Sequence, residues 1–182
     1  MKTLLKKYWN WHFVKVIYAI WILLIAITAV GVAIGQMQTQ QTSQDVTSQI
    51  LNANTRITVG KIFFNNWYLA LRSFVPAAGY YLSFHSWFLT GIVLGEEAKV
   101  LYPTWWSFAA PFGNAFLYPE TFASALIIAE SLWLMKLVFK DRKVELVKER
   151  LKSATWISVL VSSLLLLGCA AVEYVLIVNG GC

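Results

Sequence analysis

Residues 13–35 read FVKVIYAIWILLIAITAVGVAIG, an apolar run whose one charged side chain is Lys15. A hydrocarbon core about 30 Å thick is crossed by roughly 20 predominantly apolar residues in a helix. Lipid offers the backbone no hydrogen-bond partner, so such a run satisfies its own amides by coiling into an α-helix. The small residues Ala29, Ala33 and Gly35 resemble a cleavage site, but a secretory signal carries an apolar stretch of only about 7–15 residues. Residues 13–35 are therefore expected to be a retained first span.

The rest of the chain has the same character. Of 182 residues 58% are hydrophobic and 13% charged, against about 25% charged in a soluble domain. So little charge cannot dress a surface in water, and the sequence predicts an all-α membrane protein forming a single helical domain over residues 1–182. The formal charge of +6 does not point to nucleic acid, because the basic residues cluster beside apolar runs instead of forming a stripe on a polar fold. Cys169 and Cys182 lack CxxC spacing and neighbouring histidines, which excludes a zinc ribbon and a disulfide framework.

About five transmembrane helices are expected, over residues 13–35, 60–76, 79–97, 119–139 and 154–178. The apolar stretch from Ile57 to Gly95 is too long for one span. Pro76 and Gly79 divide it into two short helices joined as a hairpin. The segment 36–56, rich in Gln, Thr and Ser, reads as an outer polar loop. Between Glu96 and Tyr118, aromatic residues alternate with Pro103, Pro111 and Gly113. Tyr102, Trp105 and Trp106 among them suit a segment lying in the headgroup region. Leu4, Leu5, Tyr8, Trp9 and Trp11, set among lysines, read as an interfacial lead-in to the first helix.

Four of the fifteen Lys and Arg lie in residues 1–15 and seven in 136–152. Cytoplasmic loops concentrate such residues, which places the N-terminus and a basic loop 140–152 in the cytoplasm and the C-terminus outside. The basic loop either docks a cytoplasmic partner or simply sets topology.

Ionisable residues inside spans are the candidate functional residues. A charge at the bilayer centre costs roughly 2.5–3.5 kcal/mol on insertion scales, so it must face protein or water. Glu120 and Glu130 lie ten positions apart, about 80° around the helix, on a face shared with Ala123, Ser124, Ile127 and Ser131. Glu173 lies at the outer end of the last span and is expected to meet Glu120. Arg72 and His85 are the other intramembrane ionisable groups. They support either a polar or proton-linked pathway between helices, or plain interhelical hydrogen bonding. Gly31-x-x-x-Gly35 and Gly91-x-x-x-Gly95 fit close helix packing, internal or between copies. No nucleophile–base constellation, metal-ligand spacing or phosphate loop is readable, and no cofactor is expected.

Three stretches resemble the stage II sporulation protein M-like membrane family. They are Phe63-Phe64-Asn65-Asn66 with Thr90-Gly91-Ile92-Val93-Leu94-Gly95, then Pro119-Glu120-Thr121-Phe122-Ala123, then Ala170-Ala171-Val172-Glu173-Tyr174. Their order matches the family, and Glu120 and Glu173 fall on its acidic positions. Thr90 replaces the family's Asn, and its His-Gly is missing after Pro119, so no role of that histidine carries over. The resemblance implies a non-enzymatic multi-pass membrane subunit acting with membrane partners or itself, like the namesake in its complex with cell-wall-remodelling proteins. The alternatives are a permease or channel-like subunit lined by Glu130, Arg72 and His85, and an accessory subunit of a membrane enzyme.

Overall fold

The structure, a computed structural model, describes residues 10–38, 58–102, 106–140, 142 and 144–178, without the side chains of 176 and 177. Trp105, the N-terminal lead-in before residue 10 and nearly all of the polar loop 36–56 lie outside the described residues.

Every regular element among the described residues is helical. Helix α1 (Trp11–Met37) opens on Asn10, whose side chain accepts from the Phe13 amide at 2.9 Å and so satisfies one of the first-turn donors. Helix α2 (Val59–Leu71) opens in the same way on Thr58 and tightens into a 3-10 turn at Arg72–Phe74. Helix α3 spans Ala78–Leu101. A 3-10 turn at Ala110–Gly113 leads to α4 (Leu117–Met135), which widens into a π-helical turn over Lys136–Lys140. The amphipathic α5 (Val144–Lys152) and the apolar α6 (Ala154–Val178) complete the chain.

The break between α2 and α3 has a local cause. Pro76 brings no amide hydrogen to a helix. Ala77 then adopts φ 61°, and the Ala78 amide donates to Pro76 O across 2.7 Å, a three-residue γ-turn that is strained for a residue with a Cβ. Gly79 follows because a Cβ there would run into the Arg72 carbonyl and lie 3.0 Å from the Ser73 Cα.

Several boundaries differ from the expected ones. The segment 60–76 is a 13-residue α-helix plus a 3-10 turn, so its continuous α-helical rise is only about 20 Å. The segment 79–97 continues as helix to Leu101, which moves Glu96–Leu101 out of the expected interfacial stretch. Helix α4 begins at Leu117, two residues before Pro119, because a proline in the first turn has no intrahelical partner to lose. Within the basic connection 140–152, Val144–Lys152 form helix α5.

Among the described residues, three stretches are long and apolar enough to cross a membrane: Trp11–Met37, Leu117–Lys140 and Val144–Val175. Helix α4 stands at the centre, buried continuously from Ala123 to Ser131, because α1, α2 and α6 all pack on it. Phe13, Ile17, Ile20 and Leu24 of α1 meet Ala125, Leu126, Ile128 and Ala129 in one core. Ala70, Ala123, Ile127 and Leu166 form a second. The rim carries large exposed apolar side chains such as Ile22, Val30, Leu160, Leu164 and Val172. A surface of that kind suits acyl chains and would be a liability in water.

The contacts also fix relative directions. Gly31 faces Gly91 and Gly35 faces Ile92 and Glu96, so α1 and α3 run side by side in the same sense. Asn66 reaches Glu120 and Phe74 reaches Ser131, so α2 runs with α4. Ser158 contacts Glu130 and Ser162 contacts Ala123, so α6 runs against α4.

Candidate functional site

Two intramembrane acids of α4, expected on one polar face, serve two separate sites. Glu130 is fully buried, and its Oε1 and Oε2 accept from Arg150 Nε and Nη2, each at 2.7 Å. Thr155 Oγ1 donates to Oε1 at 2.7 Å and Ser158 Oγ to Oε2 at 3.4 Å. Arg150 is only 1% exposed, and its guanidinium lies 4.7 Å from the Phe13 ring centre and 5.4 Å from that of Trp133. Two-pronged pairing matches the planar fork of arginine to a carboxylate, and the aromatic faces attract the cation. This acid is saturated with donors and closed off, so it lines no passage.

Arg150 belongs to the stretch expected only to set topology or dock a partner. It stands on the apolar side of α5 with Leu146 and Val147, while Glu145, Lys148 and Glu149 are exposed. A cation at i+3 and i+4 from apolar residues on an amphipathic helix was the legible signal. Its partner was not legible, since twenty residues and a chain reversal separate the two.

Glu120 occupies the other site. Its Oε1 accepts from Asn66 Nδ2 at 2.6 Å, and it borders a cavity of about 140 Å³ that Asn65, Arg72, Ser83, Ser86 and Thr90 also line. Arg72 Nη2 donates to Leu82 O at 2.9 Å and to Ser86 Oγ, and Ser73 is hydrogen-bonded to Ser83. Arg72 Nε is buried with no hydrogen-bond partner. No ion pair joins Arg72 to Glu120, although both border the same space. Neither asparagine stood among the expected site residues. Their sequence signal was their place in the Phe63-Phe64-Asn65-Asn66 stretch that carries the family resemblance.

Glu173 lies within electrostatic reach of Glu120, as their expected proximity requires, but no hydrogen bond links them and Glu173 makes none among the described residues. His85 is exposed and stacks on Tyr81, with ring centres 5.9 Å apart. Glu130, Arg72 and His85, expected to line one path, are not brought together: one is held in an ion pair, one borders the cavity, and one faces outward. The reason is rotational, because each 100° step along a helix sends a neighbour to a different face.

The four glycines meet at a single crossing. A Cβ on Gly31 would lie 3.0 Å from the Gly91 Cα, and one on Gly91 3.0 Å from the Gly31 Cα, with carbonyl oxygens nearer still. Both Gly-x-x-x-Gly faces are thus consumed inside one chain, and neither remains as a surface for a partner. At the far end of this pair, Gln36 Nε2 donates to Gly95 O at 2.8 Å and Ser107 O at 3.1 Å, and Ser107 Oγ donates back to Gln36 Oε1. Lys99 Nζ donates to Gln36 O and Gln38 O, where its charge suits the carbonyl end of α1. This clasp holds the aromatic segment, in which Tyr102 and Trp106 are about half exposed.

Among the described residues no three His, Cys, Asp or Glu side chains converge as metal ligands would. Fold and sites together define, among the described residues, an all-helical chain with three stretches long and apolar enough to cross a membrane, in which Glu130 and Arg150 are turned toward protein. Set against models of protein families, curated proteins and solved structures, the chain matches none.

Proposed function

We propose that this chain is a non-enzymatic multi-pass membrane subunit of the stage II sporulation protein M-like kind, which works by assembly with other membrane proteins or with itself. The topology that goes with it has five crossings, α1, α2 with its 3-10 turn, α3, α4 and α6, with the N-terminus cytoplasmic and the C-terminus outside. It gathers the basic residues of α1, α4 and α5 on one side, as the distribution of Lys and Arg requires.

The observation that carries the assembly is Glu173. This half-buried acid of α6 has no hydrogen-bond donor among the described residues, whereas Glu130 has four. An unpaired polar group in hydrocarbon is costly and finds a partner across a helix interface. Val172 and Val175 beside it are exposed, which leaves room for a neighbouring helix. The half-exposed Tyr102 and Trp106 form a second contact surface at the same end.

The test is particle mass by light scattering after purification in a mild detergent. The wild-type chain is expected to carry more than one polypeptide per particle. Glu173→Leu is expected to reduce this to one, with an unchanged melting curve. A wild-type particle of one chain would overturn assembly with itself, and an assembly that Glu173→Leu leaves intact would overturn the role of Glu173.

A further inference from the structure

The cavity between α2, α3 and α4 is bordered by a guanidinium and a carboxyl group that do not touch. In a low-dielectric setting opposite charges attract strongly over several ångströms, and Arg72 and Glu120 would be expected to close on each other. Both are instead held apart by neighbours. Arg72 is tied back to Leu82 O and Ser86, and Glu120 is held by Asn66. Two polar ends facing one small space, each with capacity unspent, describe a receptor for something that carries both complementary charges.

We propose that this cavity binds a small zwitterion of the α-amino-acid type, its carboxylate on the Arg72 guanidinium and its ammonium on Glu120.

Volume sets the size class. About 140 Å³ is close to the engineered cavity of roughly 150 Å³ that accepts benzene, and well below the 300–1,000 Å³ or so of drug-sized sites. Glycine, alanine or serine fits, and a large aromatic amino acid does not. Asn65 and Thr90 line the cavity and are exposed, so the cavity opens between α2 and α3. This site is independent of assembly through Glu173.

The experiment is isothermal titration of the purified full chain in detergent with glycine, alanine, tryptophan, acetate and methylammonium. Saturable binding of glycine and alanine is expected, with at least ten-fold weaker binding of the other three. Arg72→Gln and Glu120→Gln are each expected to lower glycine affinity at least ten-fold. Thr90→Phe fills the mouth from an exposed position and is expected to abolish binding while the melting curve stays in place, so the test holds even if a charge variant fails to fold. Three results would overturn the proposal: no heat from glycine or alanine, acetate or methylammonium binding as well as glycine, or Thr90→Phe binding glycine like the wild type.

Discussion

Removing Glu130 or Arg150 alone should destabilise the bundle far more than removing both. The pair is 0% and 1% exposed, so neither charge has water to fall back on. Breaking a buried pair from one side costs about 3–5 kcal/mol, because the surviving charge stays buried without compensation. Replacing both partners with apolar groups of similar volume is often neutral or better. In Glu130→Leu the guanidinium loses its two-pronged carboxylate partner while still lying against the Phe13 and Trp133 rings, and in Arg150→Met the carboxylate loses both guanidinium hydrogen bonds while still accepting from Thr155 and Ser158.

In the double variant both charges are gone. Ser158 still donates to Ala154 O at 3.2 Å, while Thr155 loses its acceptor, at a cost of about 1–3 kcal/mol. The coupling between the two sites should therefore exceed about 3 kcal/mol. It can be measured as a double-mutant cycle by denaturant unfolding in mixed micelles, with Trp133 beside the guanidinium contributing to the fluorescence. A double variant destabilised by the sum of its parents would refute the direct pairing and the sealing of Glu130.

Two further predictions concern backbone positions. Gly31→Ala and Gly91→Ala should each destabilise by about 1–3 kcal/mol, the usual cost of overpacking, since the added methyl meets the backbone of the facing helix. Gly168→Ala, with nothing within 4 Å of its Cβ position, should stabilise α6 by up to about 1 kcal/mol, and melting curves of the three variants check the contrast. Ala77→Gly should raise stability by about 1 kcal/mol, because φ 61° costs roughly that much for an L-residue with a Cβ. An unchanged or lowered melting temperature would show that Ala77 is not strained.

The helices with the plainest signals were legible residue by residue. The run 13–35, the start of α6 at Ala154 and the break at Pro76 follow from local chemistry: apolar length, the donor that proline lacks, and the turn that Gly79 tolerates. Glu130 was legible as a buried acid for the same reason, since hydrocarbon tolerates a charge only where it turns inward.

What the sequence could not disclose is who meets whom. Arg150 sits among exposed charges in the chain and at the heart of the bundle in space. Arg72, Glu130 and His85 look alike as embedded polar groups, yet they end in a cavity wall, an ion pair and an outward face. The two glycine patterns find each other within the chain, not across a dimer. These outcomes depend on helix rotation and crossing, set by the packing of distant side chains against one another. A one-residue turn of 100° changes a partner without changing the composition that betrays a membrane helix.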